Sequence, residues 1–301
     1  MKTGAITAIV IWSVAAVGLI VLLIVGSTMN PRDFSVKRDI HEVYSVEEDG
    51  TVFDSIQISW FAGHVSVTPS QDNLFHLKQT SYYDVDPLVL DMSEGKLTIT
   101  QKRNYSFIFF GFGSRPSNLE LSVPEKQYDN LVLKMTSGET DLNGIEASNI
   151  ELKLTSGSLN ASGLKAENIS ATMTSGNIDA SDIQAEDLAI KVTSGKAELS
   201  GAFTRIESGL TSGKIIIHSN IASESIESKI TSGKTFITIP ENDGFVLIVK
   251  KTSGDIDCDD FDLKTSLRKS NDEYTYKTGS ASGRKYYAKM TSGDFKLRKA
   301  K

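Results

Sequence analysis

Eight serines of this chain stand in the same triplet, and a repeated hydroxyl is the first group to test for nucleophilic chemistry. They are Ser137, Ser156, Ser175, Ser194, Ser212, Ser232, Ser253 and Ser292, each inside Thr-Ser-Gly. A serine nucleophile needs a neighbouring base to take its proton. The chain has four histidines, His41, His64, His76 and His218, and none accompanies the triplets. Repetition at one lattice position describes a structural ladder, so no catalytic residue is expected. The enzymatic alternative is a polysaccharide lyase or hydrolase, which needs convergent carboxylates, or a carboxylate with Arg or Lys, in a groove. No outlier cluster of that kind is present, and no cofactor motif.

Charge is the second source of chemistry. Three residues before the triplet serine come Lys134, Lys153, Lys191, Lys229, Lys250 and Lys289. Stacked about 4.8 Å apart, these would form a basic column suited to an anionic wall polymer or lipid headgroups. The alternative is a solvated face, with Glu151, Glu207 and Glu227 offsetting part of it. Lys196, Lys214 and Lys234 follow the serine by two residues, with Asp255 at the same place in the next repeat. Asp255, Asp257 and Asp259, with Asp260 and Asp262 beyond, invite a calcium reading. Alternate strand residues lie about 6.6 Å apart, whereas calcium needs oxygens converging at about 2.3–2.6 Å. An acidic solvated edge is the expectation, and no metal site. The chain carries 32 Lys plus Arg against 38 Asp plus Glu, a net charge of −6, which excludes nucleic-acid binding as a main role.

The elements that must position these groups follow from the spacing. The intervals between successive triplets are 19, 19, 19, 18, 20 and 21, and the eighth triplet follows after 39. Before each serine the apolar residues alternate: Leu154, Leu152, Ile150; Met173, Ala171, Ile169; Val192, Ile190, Leu188. Period 2 means strands with one face buried, and a repeat of roughly 20 residues means a solenoid. Alternation resumes at Leu159 and Ala161, then at Leu164 and Ala166, so each repeat supplies three short strands. The prediction is an all-β, single-stranded β-helix (β-solenoid) with coils of about 20 residues. The triplet is its corner: glycine for the tight turn, threonine outward, serine inward. Cys258 falls in the apolar column of Leu142, Ala161, Ala180 and Leu199, and reads as a buried small residue. Lys251 falls at the inward place of Leu154 and Ile230, which predicts a bulge or corner shift there.

Ahead of the solenoid, residues 6–26 are uncharged and apolar, long enough to span about 30 Å as a helix. They read as an uncleaved single-pass transmembrane helix behind a short cytoplasmic tail, residues 1–5, with a cleaved signal peptide the alternative. The large domain is then extracellular at the cell membrane. Residues 27–50 read as a juxtamembrane stalk, 51–130 as irregular capping coils and 131–301 as the regular solenoid, with a separate small β-domain the alternative for 51–130. Within 51–130, Tyr105 to Phe112 is unusually aromatic and reads as a buried edge or loop plug; the alternative is an exposed patch in which Phe107, Phe109, Phe110 and Phe112 contact membrane or a protein partner. The basic carboxyl terminus, from Lys296 onward, is a charged stop against end-to-end growth or a contact for an anionic surface.

An amino-terminal membrane helix, Leu121-Ser122-Val123-Pro124, and Leu133-Lys134-Met135-Thr136-Ser137-Gly138 opening the repeats together resemble a known family. It is the bacterial "putative adhesin" β-strand-repeat family of unknown function (the DUF4097 type, with LiaG-like envelope proteins), and the resemblance covers residues 51 to 301. It implies a cell-envelope protein of a Gram-positive bacterium and supplies no catalytic residues. The expected function is a non-enzymatic, membrane-anchored envelope solenoid with a structural, binding or stress-related role. An accessory subunit of a membrane signalling complex is the alternative. The long last interval, which contains Tyr274 and Tyr276, departs from the spacing and implies one degenerate coil or a small excursion.

Overall fold

The computed structural model describes residues 39–102, 105–108, 111–261, 264–270, 273–279 and 283–300. The run at 6–26 lies outside them, and among the described residues no helix is long and apolar enough to cross a membrane. What is described is all-β, apart from one turn of 3-10 helix at Gly50–Val52.

The repeats form stacked coils, each named here by its corner glycine. Strand Glu146–Leu154 lies parallel to Gln127–Asn143 on one side and Lys165–Met173 on the other, with equivalent positions of successive repeats in register. Each coil has a first face before the triplet, a second face after it and a short third side. The third side begins at a left-handed turn: Gly144, Gly163 and then Asp182 (φ 55°), a residue type that tolerates this conformation. The shortest interval, between Ser194 and Ser212, is absorbed at that turn, where the register jumps between Ala180 and Ile183. Inside, one continuous core runs from Phe53 to Leu297 and includes the columns Leu131, Ile150, Ile169, Leu188 and Leu142, Ala161, Ala180, Leu199. Cys258 belongs to it, and burial pushes its thiol up to about 12.

The triplet serines lie on the outside, contrary to the inward placement expected from alternation. All eight are exposed, as are the triplet threonines, except the half-buried Thr136. The reason is the glycine. Its φ lies between 101° and 129° in all eight triplets, so alternation breaks at the bend and two successive residues face water. The serines do stack: Ser156 N donates to Thr136 O (2.8 Å), Ser175 N to Thr155 O (3.0 Å) and Ser194 N to Thr174 O (2.8 Å). The ladder is therefore a backbone ladder. A Cβ on Gly157 would stand 1.9 Å from Gly138 O, and one on Gly176 would stand 1.9 Å from Gly157 O.

Chain order and stacking order part company at both ends. Strand Ser55–Ser70 forms a full coil, in parallel register with Gln127–Asn143 on one side. On its other side lie Lys96–Thr100 and Asn118–Pro124, which come between those two in sequence. Its corner, Phe61-Ala62-Gly63, continues the triplet column without threonine or serine. Beyond this end coil the antiparallel strands Val89–Ser93, Leu74–Ser81 and His41–Asp49 close the stack. Residues 41–49 are thus a strand and not part of a stalk, because Tyr44 and Val46 pack against the core.

At the other end the last triplet is not last in space. Strand Lys285–Met290 pairs with Ser225–Ile230 on one side and with Gly244–Lys251 on the other. Asp294–Lys299 pairs likewise with Lys234–Ile239 and Ile256–Asp257. The coil of Gly293 is inserted between those of Gly233 and Gly254, and the long last interval is the excursion that permits this. Part of that excursion is the antiparallel pair Lys264–Ser270 and Glu273–Gly279, the latter pairing with Gly244–Lys251. Lys251 causes no bulge. Its register with Met290 is unbroken, and its Nζ escapes the interior by donating to Gly254 O at 3.0 Å.

Gly176→Ala is expected to destabilise the protein by about 3 kcal/mol or more, since the methyl group meets a backbone oxygen at a φ that disfavours alanine. Ser175→Ala is expected to stay within about 0.5 kcal/mol, and chemical denaturation reads both. Thr235 is fully buried with an unpartnered hydroxyl. Thr235→Val is expected to raise stability by about 1 kcal/mol in the same measurement, because no buried donor is left unpaired.

Candidate functional site

Parallel register turns the lysine spacing into geometry. The sequence-predicted column is assembled as Lys134, Lys153, Thr172, Lys191, Gly209, Lys229, Lys289 and Lys250, in that spatial order. All six lysines are exposed. Insertion of the last coil puts Lys289 between Lys229 and Lys250, so three lysines follow one another without a gap. Lys153 pairs with Glu151 at 2.5 Å and Lys229 with Glu227 at 2.7 Å, and that hydrogen bond raises the Lys229 pKa. Lys134, Lys191 and Lys289 have no carboxylate within 4 Å among the described residues.

A second column runs Asn177, Lys196, Lys214, Lys234, Asp294 on the second face. Lys196 is held by Glu198 at 2.6 Å, and Lys214 lies over the Phe236 ring at 4.6 Å. Lys234 meets Asp294 at 2.9 Å. The sequence places Asp255 next to Lys234, but Asp294 stands there because the last coil intervenes. The two columns flank the Thr-Ser-Gly corner. In the coils of Gly195 and Gly233 a lysine stands on each side of the exposed hydroxyls: Lys191 with Lys196, and Lys229 with Lys234. The result is a ridge of threonine and serine hydroxyls bordered by ammonium groups, which can donate hydrogen bonds to anionic oxygens along its length.

The aspartate run and the basic carboxyl terminus prove to be two halves of one contact. Arg298 bonds the Asp257 carboxylate and reaches Asp260 at 3.3 Å, while Lys296 lies 3.4 Å from Asp257. Lys299 N donates to Asp260 Oδ2 at 3.1 Å, and its Nζ pairs with Glu241 at 2.8 Å. Asp257 is thus a partner for the inserted strand. Among the described residues no group of three or more His, Cys, Asp or Glu side chains is placed to hold a metal ion. Asp262 lies outside the described residues. The sequence leaves this contact unread because the partners are distant in the chain and belong to coils whose adjacency depends on the insertion.

Of the aromatic patch, Phe107 and Phe112 are register partners in the hairpin Tyr105–Ile108 and Gly111–Ser114. Phe109 and Phe110 lie outside the described residues. The hairpin occurs where the end coil would turn its corner, between Lys96–Thr100 on the first face and Asn118–Pro124 on the second. Side chains satisfy the backbone that this departure leaves bare. Gln101 Oε1 accepts from Phe61 N (2.6 Å) and Ala62 N (2.9 Å), and Trp60 Nε1 donates to Ser117 O at 2.8 Å.

Two of the four histidines are paired with carboxylates. His64 Nε2 meets Asp141 at 2.7 Å, and the two nitrogens of His76 face Asp72 and Glu47. The Asp72 hydrogen bond raises the His76 pKa.

The inserted strand carries a pH dependence. Burial opposes ionisation of Asp257, but the Asp259 amide, Lys296 and Arg298 outweigh it and hold the carboxyl below its ordinary value. The unfolded state then binds the proton more readily, so this contribution is present above the ordinary value near 3.8 and is lost as pH falls through the folded one. Amide-exchange protection across 294–299 is expected to weaken between about pH 5 and about pH 2, and Asp257→Asn is expected to flatten that change.

A family model described as Toastrack DUF4097 matches residues 53–298. No curated protein matches the chain. Among solved structures it is similar to a "putative adhesin" from Bacteroides fragilis, at 13% identity over 86% of this chain and 97% of that one, TM-score 0.49. It is also similar to a "putative lipid binding protein" from Parabacteroides distasonis, at 16% identity over 86% and 96%, TM-score 0.35. A third likeness is a "putative cell adhesion protein" from Clostridium sporogenes, at 10% identity over 87% and 100%, TM-score 0.33. Identities and superpositions of this size bear on no functional assignment.

Proposed function

The chain belongs to the Toastrack DUF4097 family, and from that premise we propose that it is a non-enzymatic binding protein of the cell envelope, anchored by residues 6–26 with its solenoid on the outer side. The ligand is a polyanion that lies along the Thr-Ser-Gly ridge. One observation carries this reading: strand register gathers Lys134, Lys153, Lys191, Lys229, Lys289 and Lys250 into one exposed column beside a row of hydroxyls. Three of those six have no acidic partner within 4 Å among the described residues. Their charge is therefore available to a ligand, whereas a merely solvated face carries paired charges as readily as unpaired ones.

Binding chemistry also suits the acids better than bond cleavage does. Asp187, Glu198, Asp257 and Asp260 are each committed to a basic neighbour, Arg205, Lys196 or Arg298. A glycan-cleaving site needs carboxyl groups free to move protons.

The test is binding of full-length protein, reconstituted in vesicles, to purified anionic wall polymer and to a neutral polysaccharide of similar length. The combined variant Lys134→Glu, Lys191→Glu, Lys289→Glu is expected to lose on the order of 100-fold in affinity, at about 1 kcal/mol per basic residue facing an anionic surface. Unchanged binding of the variant, or equal binding of the neutral polymer, sinks the reading.

A further inference from the structure

Strand His41–Asp49 closes one end of the stack with little to hold it. It pairs on one side only among the described residues, its register slips between Glu42 and Tyr44, and none of its nine residues is buried. Tyr44 and Val46 alone pack against the core. Two side-chain ties supplement the backbone: Lys78 lies 3.7 Å from Glu42, and His76 stands directly opposite Glu47 in the register. The imidazole has a carboxylate at each nitrogen. Glu47 Oε2 lies 3.2 Å from Nδ1, and Asp72 Oδ2 lies 3.1 Å from Nε2. Asp72 is fixed in turn by the Ser70 hydroxyl, which donates to it at 2.6 Å, and by the Leu74 amide at 3.1 Å. The ring is 38% exposed, so protons reach it from water.

We infer that His76 is a proton-operated latch: as imidazolium it clasps Glu47 and Asp72 together and fastens strand His41–Asp49, and as neutral imidazole it lets that tie go. A neutral imidazole carries one N–H and the imidazolium two, so only the charged ring donates to both carboxylates. The neutral ring turns a lone pair toward one of them. The other charges around the ring are mostly acidic. From the edge strand come Glu42, Glu48 and Asp49 besides Glu47, although Asp49 is turned to Thr51. On the far side, strand Asn118–Pro124 sets Ser122 opposite His76 and Glu120 opposite Lys78. Lys78 is the cation two residues along the same strand, and it is engaged with Glu42. The hydrogen bond to Asp72 outweighs desolvation and, with the attraction of Asp72 and Glu47, raises the folded-state pKa of the ring. The contribution is then full below the ordinary value near 6.5 and is lost as pH rises through the folded one. That is the reverse of Asp257, so acid loosens the inserted strand at one end and alkali the edge strand at the other. The inference rests neither on polyanion binding nor on anchoring.

The experiment titrates the full-length, detergent-solubilised chain from about pH 5 to about pH 9, across the range in which histidine changes charge. NMR of the labelled imidazole reads the His76 proton, and amide exchange reads protection factors across 44–48 and, as the control, across 150–154. Protection across 44–48 is expected to fall about 3-fold as His76 loses its proton, the size of effect an exposed pair supports. Protection across 150–154 is expected to show no step at that pH. Glu47→Gln is expected to remove the step, and His76→Gln to hold protection flat at the level of the deprotonated parent. Asp72→Asn is expected to move both midpoints together to lower pH. A ring that titrates with no change across 44–48, or a step that survives in His76→Gln, overturns the inference. Where circular dichroism shows a variant to have lost its fold, coincidence of the two midpoints in the parent chain supports the latch and their separation overturns it.

Discussion

One close approach governs the molecule: the carbonyl oxygen of each corner glycine occupies the space where a Cβ on the next glycine would stand. Continuous parallel pairing across a bend requires the backbones to remain one strand spacing apart while the chain turns. Only a residue without a side chain, held at positive φ, meets both conditions. With the corner so constrained, the N–H groups of threonine and serine find carbonyls in the coil below, and the residue after the glycine donates to the glycine carbonyl of that coil, as Asn177 N does to Gly157 O at 3.0 Å. The two residues pushed outward by the break in alternation can then be small and polar. Position on the lattice explains the threonine and serine; no reaction has to be invoked.

The same lattice explains why neither end is built in chain order. A stack that simply stopped would leave two parallel edges with unpaired backbone groups, a template for aggregation. At the amino end, the coil that follows Ser55–Ser70 in sequence lies outside it and is closed by antiparallel strands. At the carboxyl end, the coil of Gly254 lies outside and the final coil is folded back beneath it. The last strands, Lys285–Met290 and Asp294–Lys299, are thereby held by neighbours on two sides. The electrostatics agree with the insertion: Lys296, Arg298 and Lys299 meet Asp257, Asp260 and Glu241 only in this order. The basic tail is not an external charged stop but a fastening within the stack.

Legibility in the sequence followed the range of the interaction. Period-2 alternation between triplets is a local property, so the strands, the coil length, the core columns and the burial of Cys258 could be read from residues alone. The lysine column could be read as well, because it needs only the repeat and the strand spacing. What escaped was non-local or depended on a sign. Extending alternation through the glycine places Ser156 and Ser175 inward, but the positive φ there breaks the phase. Gly63 lacks the Thr-Ser signature, since Phe61-Ala62 stands in its place, yet its backbone lies in the same column. The insertion of Gly293 could not be seen in the length of the last interval, since a degenerate coil and an excursion give the same count.

Insertion also bears on how charge is distributed along the ridge. Had the last coil followed Gly254 in space, Lys250 would lie directly over Lys229, and Lys234 would face Asp255. With Gly293 between them, the first-face column gains Lys289 in its interior, while Lys234 on the second face meets Asp294 at 2.9 Å. The carboxyl-terminal part of the ridge is therefore basic on the first face and neutralised on the second. The amino-terminal part carries Lys134 and Lys153 on the first face against Glu139 and Ser158 on the second. Lysine stands two residues after the serine only in the coils of Gly195, Gly213 and Gly233, and in two of them, Gly195 and Gly233, lysines stand on both sides of the hydroxyls. Three of those four lysines are paired, Lys196 with Glu198, Lys229 with Glu227 and Lys234 with Asp294, so a polyanion following the ridge meets lysines without a carboxylate within 4 Å, among the described residues, at Lys134, Lys191 and Lys289.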